Sequence, residues 1–144
     1  PKNWAAQSGD FFNQRHTKLS QITKSNVNKL QMAWSFSTGV LRGHEGGPLV
    51  IGDTLYVHSA FPNKVFAINL ADQTIKWKYE PKQDPSVIPV MCCDTVNRGL
   101  AYAEGKIFLQ QADTTLGRTV FIIHRVWIPT PSTGKDYWNS DPRW

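Results

Sequence analysis

One pattern, apolar-x-Trp-x-aromatic, occurs as Met32, Trp34, Phe36 and again 43 residues on as Ile75, Trp77, Tyr79. Around it the chain is cut into short β-forming runs by turn residues. Residues 31–38 alternate, with Met32, Trp34 and Phe36 on one face and Ala33 and Ser35 on the other, which predicts a strand. Residues 49–51 and 55–58 flank Gly52-Asp53, a hairpin signal in which Gly supplies a positive φ. Two more strands are expected at 64–70 and 75–80, around Ala71-Asp72-Gln73-Thr74, and a second tight hairpin joins 100–103 to 106–110 through Glu104-Gly105. The hairpins recur at a slightly longer spacing, from Leu55 to Ile107. A unit of roughly 40–50 residues with four short strands is the mark of a propeller blade. The same strands would also build a sandwich of repeated hairpins. On the residues alone both remain open, and both are all-β. The one helical candidate spans 23–30, where Thr23 or Ser25 could cap a turn or two built from the weak helix formers Asn26, Val27 and Asn28.

With 144 residues the chain has room for about one domain. Aromatics at 12% argue against disorder, because they supply the burial that ordering requires. The longest apolar stretch, 119–128, contains His124 and Arg125 and is too short to cross a bilayer. The chain starts at Pro1 without an apolar leader, so a processed form or a fragment is expected. The blade reading leads to the same expectation: closure needs at least four blades, and about two are encoded here. A net charge of +5 fits an ordinary surface or an acidic partner. Lys2, Arg15, Lys18, Lys24 and Lys29 lie near Trp4, Phe11 and Phe12, but nothing sets them on one face, so a nucleic-acid platform has only charge in its favour and no nucleic-acid partner is expected.

Only two cysteines occur, and they are neighbours, Cys92 and Cys93. That excludes a disulfide-rich scaffold and a four-cysteine zinc site. Adjacent Cα atoms lie about 3.8 Å apart across a trans peptide, less than a disulfide ordinarily spans. The pair is therefore either two thiols on opposite faces of a strand or a small strained ring, and strain of that kind is kept at functional sites. His44-Glu45 does not begin a zinc-protease helix, because no second His follows at the required spacing and Gly46-Gly47-Pro48 would break the helix.

The run Met91-Cys92-Cys93-Asp94-Thr95-Val96-Asn97-Arg98-Gly99-Leu100 resembles the signature around the vicinal disulfide of pyrroloquinoline quinone (PQQ)-dependent methanol dehydrogenases. So do Thr38-Gly39-Val40-Leu41-Arg42-Gly43-His44-Glu45-Gly46-Gly47-Pro48 and Tyr79-Glu80-Pro81-Lys82-Gln83-Asp84-Pro85-Ser86-Val87-Ile88-Pro89-Val90. The likeness runs over residues 4–116 and is greatest to the large subunit of the lanthanide-dependent branch. It implies part of an eight-bladed β-propeller of PQQ-type repeats. Residues 1–116 would supply about two blades, and 117–144 form a divergent, unassigned tail. Thr133-Gly134-Lys135-Asp136-Tyr137-Trp138 echoes the repeat turn there, later than the repeat would place it.

By this resemblance Cys92 and Cys93 form a ring disulfide that lies flat on the quinone, Arg98 pairs with a PQQ carboxylate, and Glu45 contacts the same end of the cofactor. Two carboxylates in contact would share a proton, helped by the guanidinium. Trp34 and Trp77 match the tryptophans that fill gaps between blades. The implied activity is PQQ-dependent oxidation of methanol or short primary alcohols to aldehyde, with this chain as one wall of the site and inactive alone. Catalytic groups and the ligands of a lanthanide or Ca2+ ion are expected outside the chain. A cytochrome c electron acceptor and the remainder of the propeller are the implied partners, with a homodimer, a small subunit or peripheral membrane association compatible with them. A periplasmic location is implied. The alternative is a non-catalytic propeller scaffold, against which Cys92, Cys93, Glu45 and Arg98 together weigh.

Overall fold

The computed structural model describes residues 3–112 and the backbone of 121–127. Four strands, β1 (Leu49–Ile51), β2 (Thr54–His58), β3 (Val65–Asn69) and β4 (Ile75–Tyr79), form an antiparallel sheet in chain order. Strands β5 (Leu100–Ala103), β6 (Lys106–Ala112) and β7 (Phe121–Trp127) form a second, three-stranded one. Each expected hairpin is present, and its turn chemistry accounts for it. Gly52 at φ 59° closes β1 onto β2, with Val50 opposite Leu55. Glu104 at φ 50° and Gly105 at φ 74° give the paired left-handed conformation that suits the twist of β5–β6.

Strand β2 buries alternate residues, Thr54, Tyr56 and His58, whereas in β3 Val65, Phe66, Ala67 and Ile68 are all buried. Alternation marks a strand with one covered face, and a continuous apolar run marks one covered on both. A bulge between Ala67 and Ile68 shifts the register of β3 on β4. One core joins the two sheets: Leu49, Tyr56, Val65, Ala67 and Tyr79 pack with Leu100, Ile107 and Leu109. Trp77 is half-buried against it, its ring 5.9 Å from that of Tyr56. At the free side of β1, Trp4 exchanges backbone hydrogen bonds with Val50 at 2.7 and 2.9 Å and holds the N-terminal segment on the sheet.

The strand expected over 31–38 is absent. Those residues are largely exposed and belong to no ladder among the described residues, although Phe36 packs edge-on against Phe66 at 5.0 Å. Alternation gives a strand its two faces, but the strand exists only where another backbone satisfies its N–H and C=O groups. Apart from the Trp4–Val50 bridge, the described residues before it form turns, irregular stretches and a single 3-10 turn, Val27–Lys29, and supply no such edge. That turn starts at Asn26, not at Thr23 or Ser25. The Asn26 side chain instead accepts from the Thr23 amide at 2.6 Å and so folds the approach. A further 3-10 segment, Pro85–Val90, and a left-handed turn, Cys93–Thr95, went unread in the sequence. The first carries a legible cap, in which Asp84 accepts from the Ser86 amide and Pro85 opens the turn. The tail 117–144, apart from the β7 backbone, lies outside the described residues, as does the echo at 133–138.

Candidate functional site

Two loops meet at one end of the sheets. The glycine-rich loop before β1 carries Arg42, Gly43, His44, Glu45 and Gly46, and the loop before β5 carries residues 91–99. In the second loop Cys92 and Cys93 are joined by a disulfide, with Cα atoms 3.8 Å apart and both residues exposed. The ring therefore forms, and free thiols at these positions are excluded. Cys93, Asp94 and Thr95 follow one another at φ 60°, 58° and 63°, the left-handed region that non-glycine residues rarely occupy. Such a run persists only where neighbours hold it. Here the Phe61 amide donates to the Thr95 carbonyl at 3.0 Å, the Thr95 amide donates to the Cys92 carbonyl at 3.0 Å, and Thr95 is buried.

The turned-over backbone points Asp94 at the other loop. Its carboxylate pairs with Arg42 at 2.8 Å and accepts from the Gly43 amide at 2.9 Å. These two donors, Arg42 foremost, hold the Asp94 carboxyl below its ordinary range. Three residues after Gly43 the chain reaches Gly46, where a Cβ would overlap the ring of His58 and stand 3.0 Å from the Asn97 carbonyl oxygen. Glycine is needed there for close approach. Between these two fixed points sits Glu45, whose carboxylate lies 3.2 Å from the Arg98 guanidinium. Both remain open to solvent, with side chains 46% and 71% exposed, so their mutual attraction alone contributes little to stability.

The structure thus brings Glu45 and Arg98 together, joins Cys92 to Cys93, and links the two sets through the Asp94–Arg42 clasp. Sequence reasoning missed Arg42, Asp94, His58 and Asn97. For Asp94 the only signal was its place directly after the cysteines. For His58 it was the inward phase of β2, which makes a histidine at that position a buried one. Among the described residues, no three His, Cys, Asp or Glu side chains converge to hold a metal ion. No helix among them is long and apolar enough to cross a membrane.

Residues 4–128 match the β-propeller domain family of PQQ-dependent glucose, ethanol and alcohol dehydrogenases, and the chain belongs to that family. It is 67% identical over 118 residues to a lanthanide-dependent methanol dehydrogenase of Methylorubrum extorquens, covering 81% of this chain and 20% of that protein. With the lanthanide-dependent methanol dehydrogenase of Methylacidiphilum fumariolicum it shares 49% identity over 140 residues, 96% of this chain and 21% of the relative. A solved europium-containing methanol dehydrogenase superposes with a TM-score of 0.74 at 55% identity, over 77% of this chain and 20% of that one. The quinohemoprotein alcohol dehydrogenase of Comamonas testosteroni gives 0.74 at 32% identity, over 88% and 19%. The chain spans about a fifth of the length of these relatives. The two sheets are accordingly blades of a propeller, which resolves the choice between blade and sandwich that the repeat left open.

Proposed function

We propose that the protein carrying this chain oxidises methanol or another short primary alcohol to the aldehyde with PQQ, and that this chain is one wall of the quinone site. The observation that carries the reading is the clasped pair of loops: an exposed disulfide plate on one, the Glu45 carboxylate on the other, and Arg98 spanning between them.

These side chains fit an anionic, planar ligand. Polarisable sulfur makes favourable contact with a π face, and Cys92 and Cys93 present two sulfurs held by one ring. Arg98 meets Glu45 through one terminal nitrogen, which leaves its planar fork donors for a ligand carboxylate. Glu45, 3.2 Å from the same guanidinium, would stand beside that end of the ligand. When bound, the quinone supplies the acceptor for the hydride that leaves the alcohol carbon. The chain's own residues orient that acceptor and cover one face of it. A lanthanide or Ca2+ ion, and the base that takes the alcohol proton, would come from residues outside this chain. Residues 1–116 would contribute the blades together with the β7 backbone at 121–127, and the remainder of 117–144 an extension of separate character.

A stable disulfide between neighbours calls for an oxidising compartment, which supports the periplasm. An electron acceptor of the cytochrome c type follows from relatives named methanol dehydrogenase [cytochrome c] subunit 1, in Paracoccus denitrificans among others. The net charge of +5 would favour an acidic one. The test is steady-state oxidation of methanol, ethanol and formaldehyde by the full-length protein reconstituted with PQQ and either La3+ or Ca2+, read by dye reduction. Methanol-dependent turnover that disappears when PQQ is withheld is expected. A folded, PQQ-saturated protein that reduces no dye with any alcohol refutes the reading.

A further inference from the structure

His58 ends β2, is 5% exposed, and is used by none of the chemistry above. Its Nε2 lies 3.0 Å from the backbone carbonyl of Asn97. A carbonyl oxygen can only accept, so Nε2 carries the proton, and in the neutral ring Nδ1 is then a bare acceptor. Nδ1 is buried and has no partner among the described residues. A second proton there would be an unpaired buried donor beside a buried positive charge, so the ring is held neutral.

The partner of this ring is itself anchored. Asn97 donates through Nδ2 to the Gln110 carbonyl of β6 at 2.8 Å and accepts at Oδ1 from the Gly99 amide at 3.0 Å. His58 belongs to the first sheet, in register with Val65 of β3. The Nε2–H···O bond therefore ties one sheet to the loop that precedes the other. At that same Nε2–Cε1 edge the ring fills the space that a side chain at position 46 would need. Gly46 follows Glu45, and Asn97 precedes Arg98. A single imidazole thus touches the immediate neighbours of both members of the ion pair. Below the Glu45 loop lies a cavity of about 420 Å³ lined by Phe36, Thr38, His44, Gly46, Leu55 and His58, so close packing does not fix the loop on that side.

We propose that His58 is a positioning residue for the Glu45–Arg98 pair: its Nε2–Cε1 edge, against which both Gly46 and the Asn97 carbonyl rest, fixes where the two loops that present the charges meet. The consequence for quinone affinity rests on the function proposed above; the geometric claim does not.

The test uses the full-length protein as parent, His58→Leu, His58→Gln and Gly46→Ala. Leu keeps apolar bulk without a donor, and the amide of Gln can place N–H near the position of Nε2. Two readouts are taken. Crystal structures without cofactor report the Glu45–Arg98 distance, and fluorescence titration reports the dissociation constant of PQQ. The expected result is a pair within 4 Å in the parent and His58→Gln, and parted in His58→Leu and Gly46→Ala. PQQ affinity should fall about tenfold in the last two, the scale of one buried hydrogen bond left unmade, and by less than about threefold in His58→Gln. An unchanged Glu45–Arg98 distance in folded His58→Leu overturns the proposal, as does parent-like PQQ affinity in that variant. Should His58→Leu not accumulate as folded protein, Gly46→Ala decides by the same criteria. A parent that binds no PQQ defeats the functional reading alone, because the crystallographic arm still judges the role of His58.

Discussion

Leu109 offers the sharpest test of how the sheets hold the site. It is fully buried in β6, directly opposite Leu100, in the core shared by both sheets. Leu100 is the first residue after the loop that carries Cys92, Cys93 and Arg98. Replacing Leu109 with Ala removes three carbons. At about 0.8 kcal/mol per buried methylene the transfer term is about 2.4 kcal/mol. The incompletely collapsed cavity raises it to about 3–4 kcal/mol, within the measured span for buried Leu→Ala. Since each 1.4 kcal/mol is a factor of ten, amides of β5 and β6 that open locally should exchange with solvent roughly 100- to 1000-fold faster. Native-state hydrogen exchange by mass spectrometry on the full-length protein reads this without requiring two-state unfolding. The comparator is Leu70→Ala at the β3–β4 turn, where the side chain is 38% exposed and the expected cost is about 1 kcal/mol or less. A β5–β6 acceleration below about fivefold in Leu109→Ala would refute the claim that this shared core anchors the cysteine loop.

Four further outcomes follow from individual residues. Asp94→Asn keeps an acceptor for the Gly43 amide but loses the Arg42 charge pair, so PQQ binding should weaken severalfold while the Cys92–Cys93 bond stays closed; intact mass and a PQQ titration check both. Because the Asp94 carboxyl is depressed below 3.8 in the folded chain, its contribution is fully present above about pH 3.8 and is lost as pH falls through the lowered value, an acid limb that Asp94→Asn should remove from urea midpoints taken across pH. Burial pushes the His58 ring below its ordinary 6.5, so the stability tied to its neutral form is complete above about pH 6.5 and declines as pH falls from there towards the folded-state value; His58→Gln should flatten that decline in the same series. Gly105→Ala places a Cβ at φ 74° in open space, so backbone strain alone should cost about 1 kcal/mol, seen as faster exchange at the β5–β6 turn with β3 unaffected.

What could be read from the sequence divides along contact range. The hairpins at Gly52-Asp53 and Glu104-Gly105 were legible because the turn residues and their flanking strands are neighbours in the chain. Residues 31–38 carry the same alternation as a strand and are not one, since a ladder depends on a partner backbone that local pattern cannot report. The site divides in the same way. Glu45, Cys92, Cys93 and Arg98 stood in recognisable motifs, whereas the contacts that hold them join residues 52 apart, in Arg42 and Asp94, and 39 apart, in His58 and Asn97. An aspartate after two cysteines and a histidine at the end of a strand look ordinary until the two loops are set side by side.

The central claim is that the Cys92–Cys93 ring and the Glu45–Arg98 pair form one wall of a quinone pocket. A crystal structure of the full-length protein with PQQ bound tests it most directly. The account predicts the quinone plane lying on both sulfurs at van der Waals distance, about 3.5–4 Å, with the Arg98 fork on one of its carboxylates and Glu45 beside the same end. Electron density that places PQQ away from this loop pair, or that leaves the two sulfurs unbonded in the loaded enzyme, would contradict it.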